Sequence, residues 1–246
     1  MEKRFFVDSD NDIKIGDKIV LLGEEHVHLS RVMRLHAGDM VECFQNGSDI
    51  FVCQILQVGK CDTTLEVKDS YSCPANPRAD ITLFQALPKL DKLELICQKL
   101  CEIGVSRVVP FYSKFCIAKP NDNKVERLKK IVISACKQCG RSLLLQVDLP
   151  KKLADIVPEL RNFDYVLFAN EKEDARRIDE VISEISKSKN KHISVAYVVG
   201  SEGGFSPEEI DMLSNFCTSI SFGKRILRTE TAAIFVASLL CGMLEV

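Results

Sequence analysis

Hydrophobic positions along the chain change their period near residue 72. Before it they come in short runs, residues 5–7, 18–22, 40–44, 50–58 and 63–67, parted by turn formers such as Asn46-Gly47. Runs of this length between turns predict a small β-barrel. One amphipathic stretch, residues 24–35, interrupts them with Val27, Val32 and Leu35 at its apolar positions, and it predicts a helix that stops before Ala37-Gly38-Asp39. Residues 71–80, YSCPANPRAD, hold two prolines among other turn formers and predict a boundary, giving a β-rich domain over 1–72 and a second domain over 73–246.

Beyond the boundary, strand and helix patterns alternate. A buried strand over 81–87 precedes residues 89–103, where Leu90, Leu93, Ile96, Cys97, Leu100 and Ile103 recur at helical spacing until Gly104. A strand over 105–112, helices over 125–141 and 153–160, a strand over 165–169 and a charged helix from about Asp174 to Lys187 follow. The last two passes are the most sharply marked. Residues 195–199 run into Gly200-Ser-Glu-Gly-Gly204 and a helix opened by Ser206-Pro207-Glu208-Glu209; residues 219–222 run into a second loop and a final helix. This alternation predicts an α/β domain around a mostly parallel sheet. Such sheets bind ligands at the C-terminal edge of their strands, where both loops fall.

With 246 residues, 46% of them apolar, the chain is long enough for two cored domains. No apolar run approaches the roughly 18 residues of a membrane span. The opening Met-Glu-Lys-Arg is not the start of a secretory signal, so a soluble, cytoplasmic protein is expected. Eleven cysteines, odd in number and mostly inside apolar stretches, read as core residues in a reducing compartment. Cys136-Lys-Gln-Cys139 lacks a second pair, and His26, His28 and His36 lack companion ligands, so no metal is expected. The net charge of −2 conceals an asymmetry: residues 1–72 carry 8 Lys and Arg against 13 Asp and Glu, whereas residues 73–160 carry 15 against 9. A nucleic-acid partner would be held by local patches.

The two C-terminal loops carry the chemistry. Gly200, Gly203 and Gly204 strip side chains from the first, which lets backbone groups approach a ligand, and Ser206, Pro207 and Glu209 fit an N-cap, N1 and N3 capping box. The second loop, Phe222-Gly-Lys-Arg-Ile-Leu-Arg-Thr-Glu-Thr231, surrounds two apolar residues with three cations, a pattern solubility does not require. A dinucleotide fingerprint does not fit, because G-x-G-x-x-G spacing is absent.

Together, VVGSEGGFSPEEID and FGKRILRTETA resemble the paired signature of the RsmE-type ribosomal RNA uridine-N3 methyltransferases, of the SPOUT class of knotted enzymes. Ser201 stands where that signature usually has proline. The resemblance extends to most of the chain: His28-Leu29, Val32, Met33-Arg34 and Gly38-Asp39 are similar to the family's N-terminal PUA-like RNA-binding barrel, with Met33 for leucine. LPKLDKLELICQKLCEIGV and SACKQCGR are similar to its next two helices, whereas Lys114 stands where an acid–arginine pair is usual.

The resemblance implies a C-terminal α/β domain with a trefoil knot, S-adenosylmethionine as cofactor, 16S ribosomal RNA as partner, and a homodimer. It implies a donor site at Leu167, Val199, Gly200, Glu202, Gly203, Gly204, Ser221, Phe222, Gly223, Ile226 and Leu227, with Arg228 and Glu230 as catalytic residues. RNA contacts are expected at Arg4, Arg31, Arg34, Lys89, Lys92, Lys99, Gln138 and Arg141, the last two as RNA-facing or site-supporting residues, with Arg31 and Arg34 sharing one helix face. Uridine N3 carries a proton, so its methylation needs deprotonation and a cation for the anion spread over O2 and O4. A non-catalytic RNA-binding assembly factor and a knotted enzyme acting elsewhere on RNA are the alternatives.

Overall fold

The computed structural model describes residues 3–9, 11–77, 79–89, 91–116, 122–170, 176–188 and 193–244, with backbone alone at 122–125. Two compact units are present, Met1–Asn76 with Cys136–Leu144, and Pro77–Ala135 with Leu145–Val246.

The first unit contains β1 (Arg4–Phe6), β2 (Lys18–Leu22), α1 (Gly23–Val27), β3 (Met40–Phe44), β4 (Ile50–Val58) and β5 (Asp62–Tyr71). They form a curled sheet in the order β1-β3-β4-β5-β2, antiparallel except where β1 runs beside β3. Irregular pairing between β4 and β5 at Val52/Cys53 and Ile55/Gln57 adds local twist. Alternation along β2 sends Ile19 and Leu21 inward, where they meet Phe5, Leu29, Val41 and Leu65 in the core.

The helix expected over 24–35 is shorter and mixed. After α1 the chain widens into a π-helical turn, His28–Val32, with Met33 N–H donating to the His28 carbonyl at 2.9 Å. Arg34 then takes a left-handed conformation, φ 53°. Arg31 and Arg34 are both exposed, but they do not share a helix face, because the helix ends between them.

Two expected surface arginines are internal. Arg4 is 6% exposed; its guanidinium binds Glu42, with Nε 2.9 Å from Oε2, and donates to the Gly140 carbonyl. Arg141 is 1% exposed, and its Nε donates to the Leu143 carbonyl at 2.6 Å. Both brace the unit, so neither is a surface contact. The expectation failed because spacing reports which residues are charged and says nothing of a carboxylate or carbonyl folded against them.

The second unit contains β6 (Asp80–Ala86), α2 (Lys92–Ile103), β7 (Arg107–Tyr112), most of α3 (Asp122–Cys139), β8 (Gln146–Val147), β9 (Lys151–Lys152), α4 (Leu153–Leu160), β10 (Tyr165–Ala169), β11 (Arg176–Arg177), α5 (Ile178–Ile185), β12 (Ser194–Val199), α6 (Pro207–Ser214), β13 (Thr218–Ser221) and α7 (Thr229–Leu244). Asp174, the expected start of the charged helix, lies outside the described residues; α5 itself begins at Ile178. The strands pair in parallel in the order β11-β13-β10-β12-β6-β7-β8, with β9 also on β7.

Burial on both faces explains the continuous apolar runs of the central strands. Phe84, Val109, Phe168 and Val198 face one core with Ile156 and Leu213. On the other face α7 packs against α2, β6 and β12, and the buried Tyr197 hydroxyl donates to the Ala233 carbonyl at 3.0 Å. Among the described residues no helix is long and apolar enough to cross a membrane. All eleven cysteines are free.

Candidate functional site

Strands β12 and β13 flank β10 in parallel, so the loops that follow them open on one edge of the sheet. Residues 199–205, 220–223 and 225–229 wall a cavity of about 450 Å³, together with Ala169 and Asn170 at the end of β10, Ile210 of α6 and Ala232 of α7. Of the expected donor residues, Val199, Gly200, Glu202, Gly203, Gly204, Ser221, Phe222, Gly223, Ile226 and Leu227 line it, as does Arg228. Leu167 does not: it is 1% exposed inside β10, two residues short of Ala169 at the wall.

The first loop is fixed at both ends. Gly204 takes φ 66° and donates its N–H to the Ser201 carbonyl at 3.0 Å, a tight turn that a side chain would strain. The capping box is complete: Glu209 N–H donates to Ser206 Oγ at 3.4 Å and Ser206 N–H to Glu209 Oε2 at 2.9 Å. Glu209 also accepts from Lys114 N–H at 2.7 Å, so the segment after β7 is pinned to the start of α6. The Ser206 hydroxyl, backbone N–H and Lys114 together pull the Glu208 carboxyl down to about 2. Gly203 owes its small size to a neighbour, since a Cβ there would lie 2.7 Å from Cβ of Phe115. Close approach was expected of a ligand; here it is made by the protein.

A buried amide joins the two loops. Gln85, at the end of β6 and fully buried, donates from Nε2 to Thr229 Oγ1 at 2.9 Å and lies 3.3 Å from the Gly200 carbonyl. Thr229 Oγ1 in turn donates to the Gly200 carbonyl at 2.5 Å. Sequence reasoning missed Gln85 and Thr229, although a lone amide inside the apolar run Ile-Thr-Leu-Phe-Gln-Ala-Leu is a readable signal.

A second tie lies on the rim. Lys92 of α2 lines the cavity, and its Nζ stands 3.0 Å from both Glu202 Oε1 and Glu230 Oε2. Its hydrogen bonds to Glu202 and Glu230 raise the lysine pKa, so it stays charged. Burial opposes ionisation of Glu202, but backbone N–H groups and Lys92 outweigh it and hold its carboxyl below the usual range. Glu230 reaches the rim through Lys92 and is not itself on the wall.

Cations expected to meet RNA divide by environment. Lys99 is paired with Glu102 at 2.9 Å and Lys92 is committed to its two carboxylates, while Lys89 and, in the first unit, Gln138 are exposed. Arg228 is exposed at the cavity wall, and its side chain has no ion-pair partner among the described residues. The arrangement offers apolar walls, backbone polar groups and two guanidinium groups, Arg225 and Arg228, with no ion-pair partner among the described residues; Arg228 is the one that leads directly into α7. It can hold a flat heterocycle and stabilise an anion that forms beside it.

Comparison with known proteins matches residues 74–241 to a family model described as an RNA methyltransferase domain. Ribosomal RNA small subunit methyltransferase E of Rickettsia conorii is 32% identical over 89% of this chain and 87% of its own length. The protein of the same name from Bacillus subtilis is 30% identical over 96% of this chain and 94% of its own. A Legionella pneumophila methyltransferase solved with bound SAM is 27% identical and superposes over 98% of both chains with a TM-score of 0.87. The loops, the cavity they wall and these likenesses agree, and the chain belongs to the family of RNA methyltransferase domains.

Proposed function

We propose that the protein transfers a methyl group from S-adenosylmethionine to N3 of a uridine in small-subunit ribosomal RNA. The observation that carries this reading is the cavity walled by both signature loops with Arg228 uncommitted at its edge. The names of the Rickettsia and Bacillus relatives support the RNA, and the Legionella neighbour supports the donor.

The residues present fit that donor. Val199, Ile220 and Leu227 supply apolar wall for an adenine, and the backbone of residues 200–204 and 221–223 supplies donors and acceptors for its polar edges. When bound, the donor supplies a methyl group on a positively charged sulfur. The protein's task is then to hold N3 in line, accept loss of its proton and stabilise the resulting anion. Arg228 takes the last role, its guanidinium facing charge that develops on the uridine carbonyl oxygens. Glu230, engaged by Lys92, serves as a positioning carboxylate that keeps the rim in place.

In this reading the first unit is a PUA-like RNA-binding module, and its exposed Arg31, Arg34 and Gln138 contact RNA. Lys89 adds a contact from the second unit. The C-terminal segment forms a trefoil knot, which suits the insertion of the late strand β13 between β11 and β10 and the return of α7 to β6 and β12. The enzyme acts as a homodimer through the outer face of α7, where Phe235 is 39% and Met243 51% exposed on a helix apolar on nearly every side. Incubation with S-adenosylmethionine and unmodified small-subunit ribosomal RNA, followed by nucleoside mass spectrometry, should yield 3-methyluridine. Donor binding without any methylated nucleoside would overturn the reading.

A further inference from the structure

The loop over 222–228 carries two cations, Lys224 and Arg225, that form no ion pair with the described residues. Lys224 and Arg225 are exposed, and neither side chain has an ion-pair or hydrogen-bond partner among the described residues. By contrast, Lys92, Lys99, Arg107, Lys114, Arg127 and Lys151 of this unit each hold a carboxylate oxygen at 3.3 Å or less. Like charges on adjacent residues repel, and no acid among the described residues offsets them here. Arg225 also lines the cavity, and next to it Ile226 is 80% exposed.

We infer that Lys224 and Arg225 grip a phosphodiester of the substrate RNA beside the target nucleotide, an inference that rests on the function proposed above. A base methylated at N3 must bring its pairing edge into the cavity, so its nucleotide leaves the helical stack and its flanking phosphates come to the cavity mouth. That is where these cations stand. A guanidinium fork matches two phosphate oxygens, and the neighbouring ammonium adds a second point of charge. The loop thereby couples RNA docking to the residue that follows it on the wall, Arg228.

Salt dependence separates this contact from others. Affinity of the full chain for transcribed small-subunit ribosomal RNA is measured between roughly 50 and 200 mM salt, and each lost phosphate contact should lower the slope of log K against log salt by about 0.7 to 0.9. The Lys224→Ala, Arg225→Ala double variant should lose both increments and keep its donor affinity by calorimetry within about twofold; Arg225→Lys, which keeps the charge, should retain most of the slope. An unchanged slope in the double variant overturns the inference. So does weakened donor binding with an unchanged slope, which would assign the cations to the donor carboxylate. Neither result touches the proposed function, which fails separately if the unaltered chain makes no methylated nucleoside.

Discussion

Arg228 and Lys92 stand on the same cavity wall, yet their charges are in opposite states. Lys92 is held between Glu202 and Glu230 at 3.0 Å from each, whereas Arg228 has no such partner among the described residues, so of these two cations the arginine is the one available to a forming anion. Arg228→Ala should therefore lower the single-turnover methylation rate by about one hundredfold or more, the size expected for losing an oxyanion-type donor, with melting temperature and donor affinity little changed. A bracing role would show the reverse pattern, lost stability and weaker donor binding with a near-normal rate. Individual residues were also where sequence reasoning was least reliable. The place of Arg228 on the cavity wall was legible because its motif is local. The commitments of Arg4 and Arg141 were not, because their partners Glu42, Gly140 and Leu143 become neighbours only through folding.

Among the elements, strand period and capping chemistry were readable, and α4, β10 and the capped start of α6 lie where the pattern placed them. The helix over 24–35 was misjudged because apolar spacing cannot distinguish an α-helix from a short helix passing into a π turn. Connections between elements were also invisible, the clearest being the Gln85–Thr229–Gly200 tie that joins the ends of β6 and β12 to the start of α7. Thr229→Val keeps the shape and deletes the hydroxyl, leaving a buried carbonyl and amide short of a partner. It should destabilise the protein by about 1–3 kcal/mol and weaken donor binding, because the two loops lose a common anchor. Equal melting temperatures and donor affinities for Thr229→Val and the parent chain would show the tie to be idle.

For the molecule as a whole, part of the acid sensitivity should come from a charged clasp far in sequence from the cavity loops. Arg107 binds Asp148 and Glu159, and Lys151 bridges the same two carboxylates. Burial works against the Asp148 carboxylate, but Arg107, Lys151 and Gln146 overcome it and hold its pKa below the usual value. A depressed carboxyl stabilises the fold above its unfolded pKa of about 3.9 and loses that contribution as pH falls through its lower folded value. Asp148→Asn should thus cost about 1–2 kcal/mol at neutral pH and flatten the acid limb of the stability curve; an unaltered limb would place the acid sensitivity elsewhere. The same sheet has a temporal consequence. Strand β6 pairs with β12, Asp80 opposite Ser194, and Gln85 finds its partners 115 and 144 residues further on. During synthesis the middle of the sheet must wait for segments made much later. Closure entropy has to be met before those contacts form, so a stalled or shortened chain would present an open strand edge and a bare apolar face, an invitation to association that the finished sheet withdraws.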